Sequence, residues 1–377
     1  MAGKAPDMDN TKKLGFGLMR LPRKLLAIDI EQTKQMVDMF MDAGFTYFDT
    51  AHVYPGSEDA IGKALVERYP RDSFTLATKL FVPAAFTAND AKKQLYTSLE
   101  RMGTDYIDYY LLHCIMENNY KKYERFGLWD YVQEEKKKGT IRHVGFSFHA
   151  GPTLLDKLLT EHPEVEFVQL QINYADWERK SVTSRANYEV ARKHGKKIVI
   201  MEPVKGGALA NPPKEILAMF KEYAPDMSSA SWAIRFAASL DGILTVLSGM
   251  SNVEQMKDNL SYMKDFKPLD HEEQQIIYKA QSIMSGTQTI PCTACSYCTK
   301  GCPKQIPIPD IFAAMNKRIG SGQLDASQQD YEAIKAKGSC ASDCIACGQC
   351  ESVCPQHISI IDNLKLCSQS FDGGKKM

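Results

Sequence analysis

The sequence predicts an α/β chain in which a (β/α)8 barrel is followed by a small cysteine-rich domain. Between Leu14 and Leu247, short runs rich in β-branched and aromatic residues alternate eight times with amphipathic helical stretches. This alternation fits a closed TIM barrel better than an open doubly wound sheet. No G-x-G-x-x-G pattern follows a strand, which argues against a Rossmann cofactor domain. The third observation is the density of cysteines in the last quarter of the chain.

Each predicted strand is followed by a predicted helix, as a barrel requires. The predicted strands are LGFGL (14–18), FTYFDT (45–50), FTLATK (74–79), YIDYYLLH (106–113), HVGFSF (143–148), FVQLQINY (167–174), KIVIME (197–202) and GILTVLSG (242–249). The predicted helices are Glu31–Ala43, Asp59–Arg68, Asn89–Met102, Gly127–Lys138, Thr153–Leu159, Val182–His194, Ser228–Leu240 and Ser251–Met263. In the first of these, Met36, Val37 and Phe40 share one apolar stripe that can face the barrel.

Length and charge limit the classes of protein that this chain can represent. With 377 residues it can form one large domain and one small one, which we place at 1–285 and 286–377. The 46 basic and 46 acidic residues balance, so no net field favours nucleic acid or an anionic membrane. The N-terminal residues contain no apolar core of a secretory signal. With eleven cysteines and no export signal, we expect a reducing cytoplasm.

Two cysteine runs share one spacing, C-x2-C-x2-C-x3-C-P, beginning at Cys292 and at Cys344. This spacing is typical of proteins that bind two [4Fe–4S] clusters, in which the fourth cysteine of each run ligates the other cluster. The duplication argues against zinc or disulfides, and oxygen-sensitive clusters lead us to expect an anaerobic or microaerobic host. The expected ligand sets are Cys292, Cys295, Cys298 and Cys354 for one cluster, and Cys302, Cys344, Cys347 and Cys350 for the other.

Polar residues follow three neighbouring strands at the points where these strands end. Asp49, Lys79 and His113 end the second, third and fourth strands, and Tyr54 lies in the loop beyond Asp49. Catalytic groups of such barrels lie at the carboxyl ends of the strands, so we expect these four to converge. A tyrosine beside a lysine ammonium can give a proton to a developing alkoxide, and a histidine can polarise the carbonyl oxygen. The pattern predicts a site for carbonyl reduction.

The segments that carry these residues resemble the aldo/keto reductase superfamily. FDTAHVYPGSEDAIGKAL (48–65) is similar to its F-D-T-A-x-x-Y-G-x-S-E-x-x-x-G-x-x-L signature, with one proline inserted before Gly56. TLATK (75–79) and YIDYYLLH (106–113) match its lysine and histidine blocks. The resemblance implies Tyr54 as proton donor, Asp49 and Lys79 as the groups that tune it, and His113 as the residue that orients substrate. The cysteine spacing resembles the subset of this superfamily with a mainly helical, ferredoxin-like iron–sulfur domain at the C-terminus.

The same resemblance implies a nicotinamide site, with departures from the family pattern. Ser147 is followed by Phe148 where the family often has Ser-Asn. Gly249 and Gln255 stand where NADP-preferring relatives have a lysine and an arginine, so two charge-assisted contacts are missing. This argues against a preference for NADP and leaves NAD, or weak cofactor binding, open. The implied cofactor-binding residues are Met19, Ser147, Gln171, Pro203, Val204, Lys205, Gly249, Ser251, Gln255 and Asn259.

The two kinds of cofactor differ in how many electrons they pass. A nicotinamide passes two electrons as hydride, whereas each cluster passes one, and a flavin normally joins them. Three arrangements follow. In the first, the clusters are structural or regulatory and the barrel reduces a small carbonyl compound with NAD(P)H, or oxidises an alcohol. In the second, an electron-transfer protein feeds the clusters, which reduce a substrate or bound cofactor in single-electron steps; in the third, the barrel is a redox-sensing or docking module without catalysis. We expect an oxidoreductase and no nucleic-acid or membrane partner. Loops around Met19–Leu26, Phe81–Phe86, Ile115–Phe126 and Trp177–Lys180 are expected to shape the substrate site.

Overall fold

The computed structural model describes residues 8–285, 289–321 and 323–373. A closed barrel of eight strands forms its larger part, in the order β1-β10-β9-β8-β7-β6-β5-β4, and every neighbouring pair is parallel. The predicted (β/α)8 fold is therefore confirmed. The barrel strands are β1 (Leu14–Gly17), β4 (Tyr47–Asp49), β5 (Thr75–Leu80), β6 (Ile107–Ile115), β7 (Ile141–Phe148), β8 (Phe167–Gln171), β9 (Lys197–Met201) and β10 (Ile243–Ser248).

The helices follow the barrel strands as expected, with a few elements that the sequence did not indicate. A short antiparallel hairpin, β2 (Arg23–Lys24) and β3 (Ala27–Ile28), follows β1. The helices of this part of the chain are α1 (Ile30–Asp42), α2 (Ser57–Ile61), α3 (Ala88–Met102), α4 (Tyr120–Arg125), α5 (Leu128–Lys138), α6 (Pro152–Glu161), α7 (Ser184–Lys193), α8 (Lys214–Tyr223), α9 (Ser229–Ala238), α10 (Val253–Met263) and α11 (His271–Ser285).

Three helical segments differ from the prediction, and one of them is α8, which the sequence analysis did not indicate. The predicted helix Asp59–Arg68 is α2 followed by a wider π turn over Gly62–Val66. In this turn the Glu67 N–H donates to the Gly62 carbonyl at 3.0 Å, and Ala64 and Leu65 stay buried. The segment Ile115–Phe126, expected to be a loop, contains α4. A six-residue helix with one fully buried side chain, Tyr123, leaves too weak a periodicity to read from sequence.

The barrel interior is filled by side chains from the strands. Parallel strands covered on both faces are buried throughout, and all nine residues of β6 are buried. Tyr47, Tyr109 and Phe167 form part of one apolar cluster there, with the Tyr47 and Tyr109 ring centroids 5.0 Å apart. Gly145 on β7 makes room for the Phe167 ring, because a Cβ atom at this position would lie 2.6 Å from it. The residue is glycine for this reason and not for backbone conformation.

Contacts divide the chain into two compact units. The first comprises the chain up to Pro203 together with Ala230–Gln274, and the second comprises Val204–Ser229 together with the chain from Gln275 onward. The predicted domain boundary at 286 falls on a residue outside the described ranges. The second unit is mainly helical, as expected. Beyond α11 its helices are α12 (Tyr297–Lys300), α13 (Ile308–Ser321), α14 (Leu324–Lys335), α15 (Gln349–Ser352) and α16 (Ile360–Phe371).

The cysteine-rich part of the second unit is built from two equivalent halves. α12 and α15 occupy the same position in the two cysteine runs, and α13 and α16 follow each run. Backbone conformations repeat as well, with φ of 54° at both Ala294 and Ala346. The core between the halves contains Ile308 and Ile360, again at equivalent positions. None of the helices in the described ranges has the length and apolar character that a membrane span requires.

Replacing Gly145 by alanine tests the packing of the barrel interior. The added methyl group meets the Phe167 ring, so we expect Gly145→Ala to lower the free energy of unfolding by roughly 1–3 kcal/mol. Gly151→Ala is the matched control, because a Cβ atom there has no neighbour within 4 Å. Urea unfolding of both variants measures the difference. Equal stability of the two variants would contradict the packing argument.

Candidate functional site

A buried ion pair lies at the carboxyl ends of β4 and β5. The Lys79 ammonium donates to Asp49 Oδ1 at 2.6 Å and to the Thr50 carbonyl at 2.6 Å, and the lysine side chain is fully buried. The parallel pairing of β4 with β5 brings the two side chains to the same end of the barrel. A buried ammonium without such partners would be costly, so Asp49 and Thr50 determine where Lys79 can lie.

The two other predicted catalytic residues lie beside this pair. The Lys79 Nζ atom is 5.5 Å from the centroid of the Tyr54 ring. The Tyr54 and His113 rings are 5.8 Å apart at an angle of 82°, and the Phe81 ring lies 5.3 Å from His113. The structure therefore brings Asp49, Tyr54, Lys79 and His113 together. Tyr54 is half-buried.

Burial determines the protonation of these groups. It raises the pKa of Asp49 and lowers the pKa of Lys79, while the attraction between the two opposes both changes. Burial also lowers the pKa of His113 well below its ordinary value, and the positive charge of Lys79 adds to this effect. His113 is consequently neutral at neutral pH, and a neutral imidazole can donate one hydrogen bond to a carbonyl oxygen without giving up its proton.

The end of β6 that carries His113 is held by four hydrogen bonds. The register of β6 against β7 shifts between Leu112 and Ile115, and Cys114 has φ of 59°. The Tyr123 hydroxyl donates to the His113 carbonyl, and the Cys114 N–H donates to Ser147 Oγ at 2.7 Å. Asn119 spans the same bulge: its side-chain N–H donates to the Cys114 carbonyl at 2.8 Å and its Oδ1 accepts from the Met116 N–H at 2.9 Å. Backbone irregularities beside active sites often aim a side chain in this way.

A second buried carboxylate, which the sequence did not single out, lies behind the lysine. Glu58 is 1% exposed; it accepts from the Thr78 hydroxyl at 2.7 Å and from the Arg101 guanidinium at 3.0 Å. Its negative charge raises the pKa of Lys79 and so opposes the effect of burial. Glu58 belongs to the S-E pair of the signature segment 48–65, and this was the available signal.

The residues expected to bind a nicotinamide lie around the ends of the remaining strands. Ser147 is the penultimate residue of β7, and Gln171 ends β8, where its side-chain N–H donates to Asp176 at 3.2 Å. Met19 lies in a short turn after β1, half-buried. Pro203 belongs to the first unit, whose sequence is interrupted after this residue and resumes at Ala230. Val204 and Lys205 belong to the second unit.

The loop after β10 provides hydrogen bonds but no cation of its own. The Ser251 N–H donates to Gln255 Oε1 at 2.7 Å, and Ser248 Oγ lies 2.6 Å from Asn259 Oδ1. A cation does approach from elsewhere in the chain: the Arg20 side chain runs along Gly249, with its Cδ 3.6 Å from where a Cβ atom of Gly249 would be. The sequence could not indicate Arg20, because it lies in the turn after β1, at the other end of the chain segment that forms the barrel.

The eight cysteines of the two runs line two separate cavities of the second unit. Each cavity is lined by three cysteines of one run and the fourth cysteine of the other, as the spacing predicts. Four thiolates around one cavity form the donor set that a [4Fe–4S] cluster requires, so the residues present fit this cofactor. One cavity is lined by Cys292, Cys295, Cys298 and Cys354, and the other by Cys302, Cys344, Cys347 and Cys350.

A glycine of the second unit packs directly on one of the cysteine runs. Gly206 has φ of 64°, and a Cβ atom there would lie 2.5 Å from the Thr293 carbonyl oxygen and 2.8 Å from its Cα. Thr293 follows Cys292 and is buried. The segment after β9 thus contacts the backbone of the first cysteine run, and only glycine permits this approach.

Comparisons with known proteins agree with this architecture. The model of the aldo/keto reductase family matches residues 13–281, and that of the 4Fe-4S dicluster domain matches residues 291–359. The uncharacterized oxidoreductase YqkF of Bacillus subtilis is 24% identical over 318 residues, which are 73% of this chain and 96% of that protein. Aldo-keto reductase str7 of Strobilurus tenacellus is 30% identical over 52% of this chain and 59% of its own length. Both resemblances drawn from the motifs are confirmed.

Solved structures show the same barrel. The holo form of aldo-keto reductase AKR11C1 from Bacillus halodurans is 26% identical, with a TM-score of 0.58, over 71% of this chain and 91% of that chain. An aldo-keto reductase from Klebsiella pneumoniae, solved in complex with NADPH, is 20% identical, with a TM-score of 0.59, over 72% of this chain and 92% of that chain. At that identity the second likeness concerns the fold alone.

The burial of His113 predicts how stability depends on pH. Because its pKa is lowered in the folded chain, the unfolded chain takes up a proton near pH 6.5 that the folded chain does not. We therefore expect the free energy of unfolding to fall as pH drops below about 6.5, with a slope that is smaller in His113→Gln. Exposed His271 supplies the control variant, His271→Gln. Urea unfolding at several pH values measures the slopes; an unchanged slope in His113→Gln contradicts the expectation.

The contact of Gly206 with Thr293 predicts a specific effect on cluster retention. In Gly206→Ala the new methyl group must displace the backbone beside Cys292, so we expect iron to be lost to a chelator several-fold faster. Gly207→Ala is the matched control: its φ of 99° is also positive, but a Cβ atom there has no neighbour within 4 Å. Iron and sulfide content after anaerobic reconstitution provide the measurement. Equal loss from both variants would mean that only backbone strain matters.

Proposed function

The chain belongs to the aldo/keto reductase family, and from this premise we propose that it reduces the carbonyl group of a small molecule, or oxidises the corresponding alcohol, at Asp49, Tyr54, Lys79 and His113. The observation that supports this most is the buried Lys79 ammonium, held by Asp49 at 2.6 Å and lying 5.5 Å from the Tyr54 ring. A structural ion pair alone would not need a half-exposed tyrosine and a buried histidine beside it.

In the proposed reaction, Tyr54 gives its phenolic proton to the carbonyl oxygen. The ammonium of Lys79 lies near the ring and stabilises the phenolate that remains, since opposite charges at short range favour the ionised form. Asp49 holds this ammonium in place, and Glu58 adds a second negative charge behind it. Neutral His113 donates a hydrogen bond that orients the carbonyl group. When bound, a nicotinamide supplies the hydride that the carbonyl carbon receives.

We propose that the hydride comes from NAD(P)H without a strong preference for NADPH. Gly249 and Gln255 offer no charge to a 2′-phosphate, and the side-chain oxygen of Gln255 (Oε1) accepts a hydrogen bond from the Ser251 N–H at 2.7 Å. The Arg20 side chain lies beside Gly249, and a single guanidinium can serve the pyrophosphate of either cofactor. Ser147 and Gln171 remain proposed contacts of the nicotinamide carboxamide.

A second candidate function is a reductase that receives single electrons through its clusters. Two observations support it: the two cysteine-lined cavities, and the weak charge of the loop after β10. In this arrangement an electron-transfer protein reduces the clusters, and the barrel residues protonate a substrate that is reduced in one-electron steps. The same Tyr54 proton is used in both schemes, so the two functions differ in the source of electrons and not in the acid.

The variant Tyr54→Phe tests whether the Tyr54 hydroxyl is the proton donor. Removing the phenolic proton should lower kcat by roughly 10²-fold or more while NADH and NADPH still bind, because the ring remains. Fluorescence quenching of the anaerobically reconstituted protein measures binding, and turnover of a panel of aldehydes and quinones measures kcat. Tyr69→Phe, which removes a half-buried hydroxyl that donates to Asp38 of α1 at 2.6 Å, is the matched control and should reduce kcat much less.

The outcomes separate the schemes. Saturable binding of a nicotinamide, with turnover lost only in Tyr54→Phe, supports hydride chemistry. No nicotinamide binding, with substrate reduced after dithionite has reduced the clusters, supports the electron-fed scheme and contradicts the first proposal. Full activity of Tyr54→Phe contradicts both, because each assigns the proton to this hydroxyl.

A further inference from the structure

The two cysteine runs offer a comparison within one molecule, because their residues correspond one to one. Thr293, Ala294 and Cys295 of the first run correspond to Ile345, Ala346 and Cys347 of the second. The local structures match closely: the Ala294 N–H donates to Cys292 Sγ at 3.4 Å, and the Ala346 N–H donates to Cys344 Sγ at 3.5 Å. Any difference in their surroundings therefore reflects what the rest of the second unit places around each run.

That difference is large at the residue that follows the first cysteine of each run. Thr293 is 2% exposed, and the segment with Gly206 packs against its backbone. Ile345 is 57% exposed although it is a β-branched apolar residue. Cys347 is exposed as well, whereas the corresponding Cys295 is half-buried. One run is covered by this chain's own segment, whereas the equivalent residues of the other run are exposed within the part of the chain that the structure describes. We call the surface formed by Ile345, Ala346 and Cys347 the Ile345 face.

We propose that electrons enter the protein at the cluster held by Cys302, Cys344, Cys347 and Cys350, from an acidic ferredoxin that docks on the Ile345 face. This rests on the proposed function only in requiring that the two cavities hold clusters. One electron leaves the reduced ferredoxin, which is oxidised, and reduces this cluster. No proton or bond changes hands in the step.

Three features of the Ile345 face fit such a partner. The exposed sulfur ligand Cys347 lets the partner's redox centre come close, which a buried cluster would prevent. Ile345 supplies apolar area for the centre of a small contact, and electron-transfer encounters bury little surface. Exposed Lys304 lines the same cavity and supplies a positive charge, which steers an acidic protein. Asp343, a carboxylate two residues before Ile345, is held by a hydrogen bond from the Cys340 N–H at 2.7 Å, so one of its oxygens is already bonded within this chain.

The test compares two residues with the same exposure. Ile345→Glu puts a negative charge on the face, and Leu324→Glu is the matched control, because Leu324 is also 57% exposed but lines neither cysteine cavity. Reduction of the reconstituted protein by a reduced [2Fe–2S] ferredoxin is followed under stopped flow by the return of the ferredoxin's own visible absorbance, which differs from that of [4Fe–4S] clusters. We expect the second-order rate constant of Ile345→Glu to fall about tenfold or more and that of Leu324→Glu to stay unchanged. Dithionite, a small reductant that needs no docking surface, should reduce all variants equally.

A milder variant tests whether a slower rate comes from the changed face or from a damaged cluster. Ile345→Thr copies the residue at the equivalent position of the first run and should also slow reduction by ferredoxin. Electron paramagnetic resonance spin counts and line shapes establish that each variant retains two clusters. Equal ferredoxin rates for Ile345→Glu and Leu324→Glu would overturn the docking proposal. A wild-type protein that assembles no clusters would instead overturn the proposed two-cluster function on which it rests.

Discussion

The buried ion pair between Lys79 and Asp49 is the constraint on which the barrel site depends. An ammonium that is fully removed from water must be met by acceptors whose positions are fixed, and here these are a side chain and a carbonyl from the neighbouring strand. The strand register brings the groups together, so folding of the sheet and assembly of the site are one event. Tyr54 and His113 then border a charge that the scaffold itself holds in place. The central pair of the site is therefore part of the buried core.

Much of this could be predicted from sequence because the signals are local. All eight barrel strands are present with ends shifted by no more than three residues, since parallel buried strands leave continuous apolar runs. The cysteine spacing likewise predicted which four residues would surround each cavity. Asp49, Lys79 and His113 could be singled out because they stand at or near the carboxyl ends of strands, which meet at one rim of a barrel. Tyr54, in the loop after Asp49, was indicated by the signature segment 48–65.

What could not be predicted depends on contacts between distant parts of the chain. Arg20 lies beside Gly249 although almost the whole sequence of the barrel separates the two residues. Gly206 and Thr293 are likewise distant in sequence but in contact in the structure. The bulge at Cys114 depends on Ser147 and Asn119, neither of which is adjacent to it in sequence. Short elements such as α4 and the π turn after α2 contain too few residues for a periodicity to emerge. Each of these features affects local structure, and none of them changes the fold class.

The division of the second unit into two stretches of sequence has a consequence for synthesis on the ribosome. Val204–Ser229 is translated well before the residues from Gln275 onward that complete its unit. During that interval Leu209, Ile216 and Phe220, which are buried in the finished protein, have only part of their surroundings available. Nascent chains with uncovered apolar segments are prone to associate with one another or with chaperones. Truncation before Gln275 would therefore leave these apolar residues without the rest of their unit.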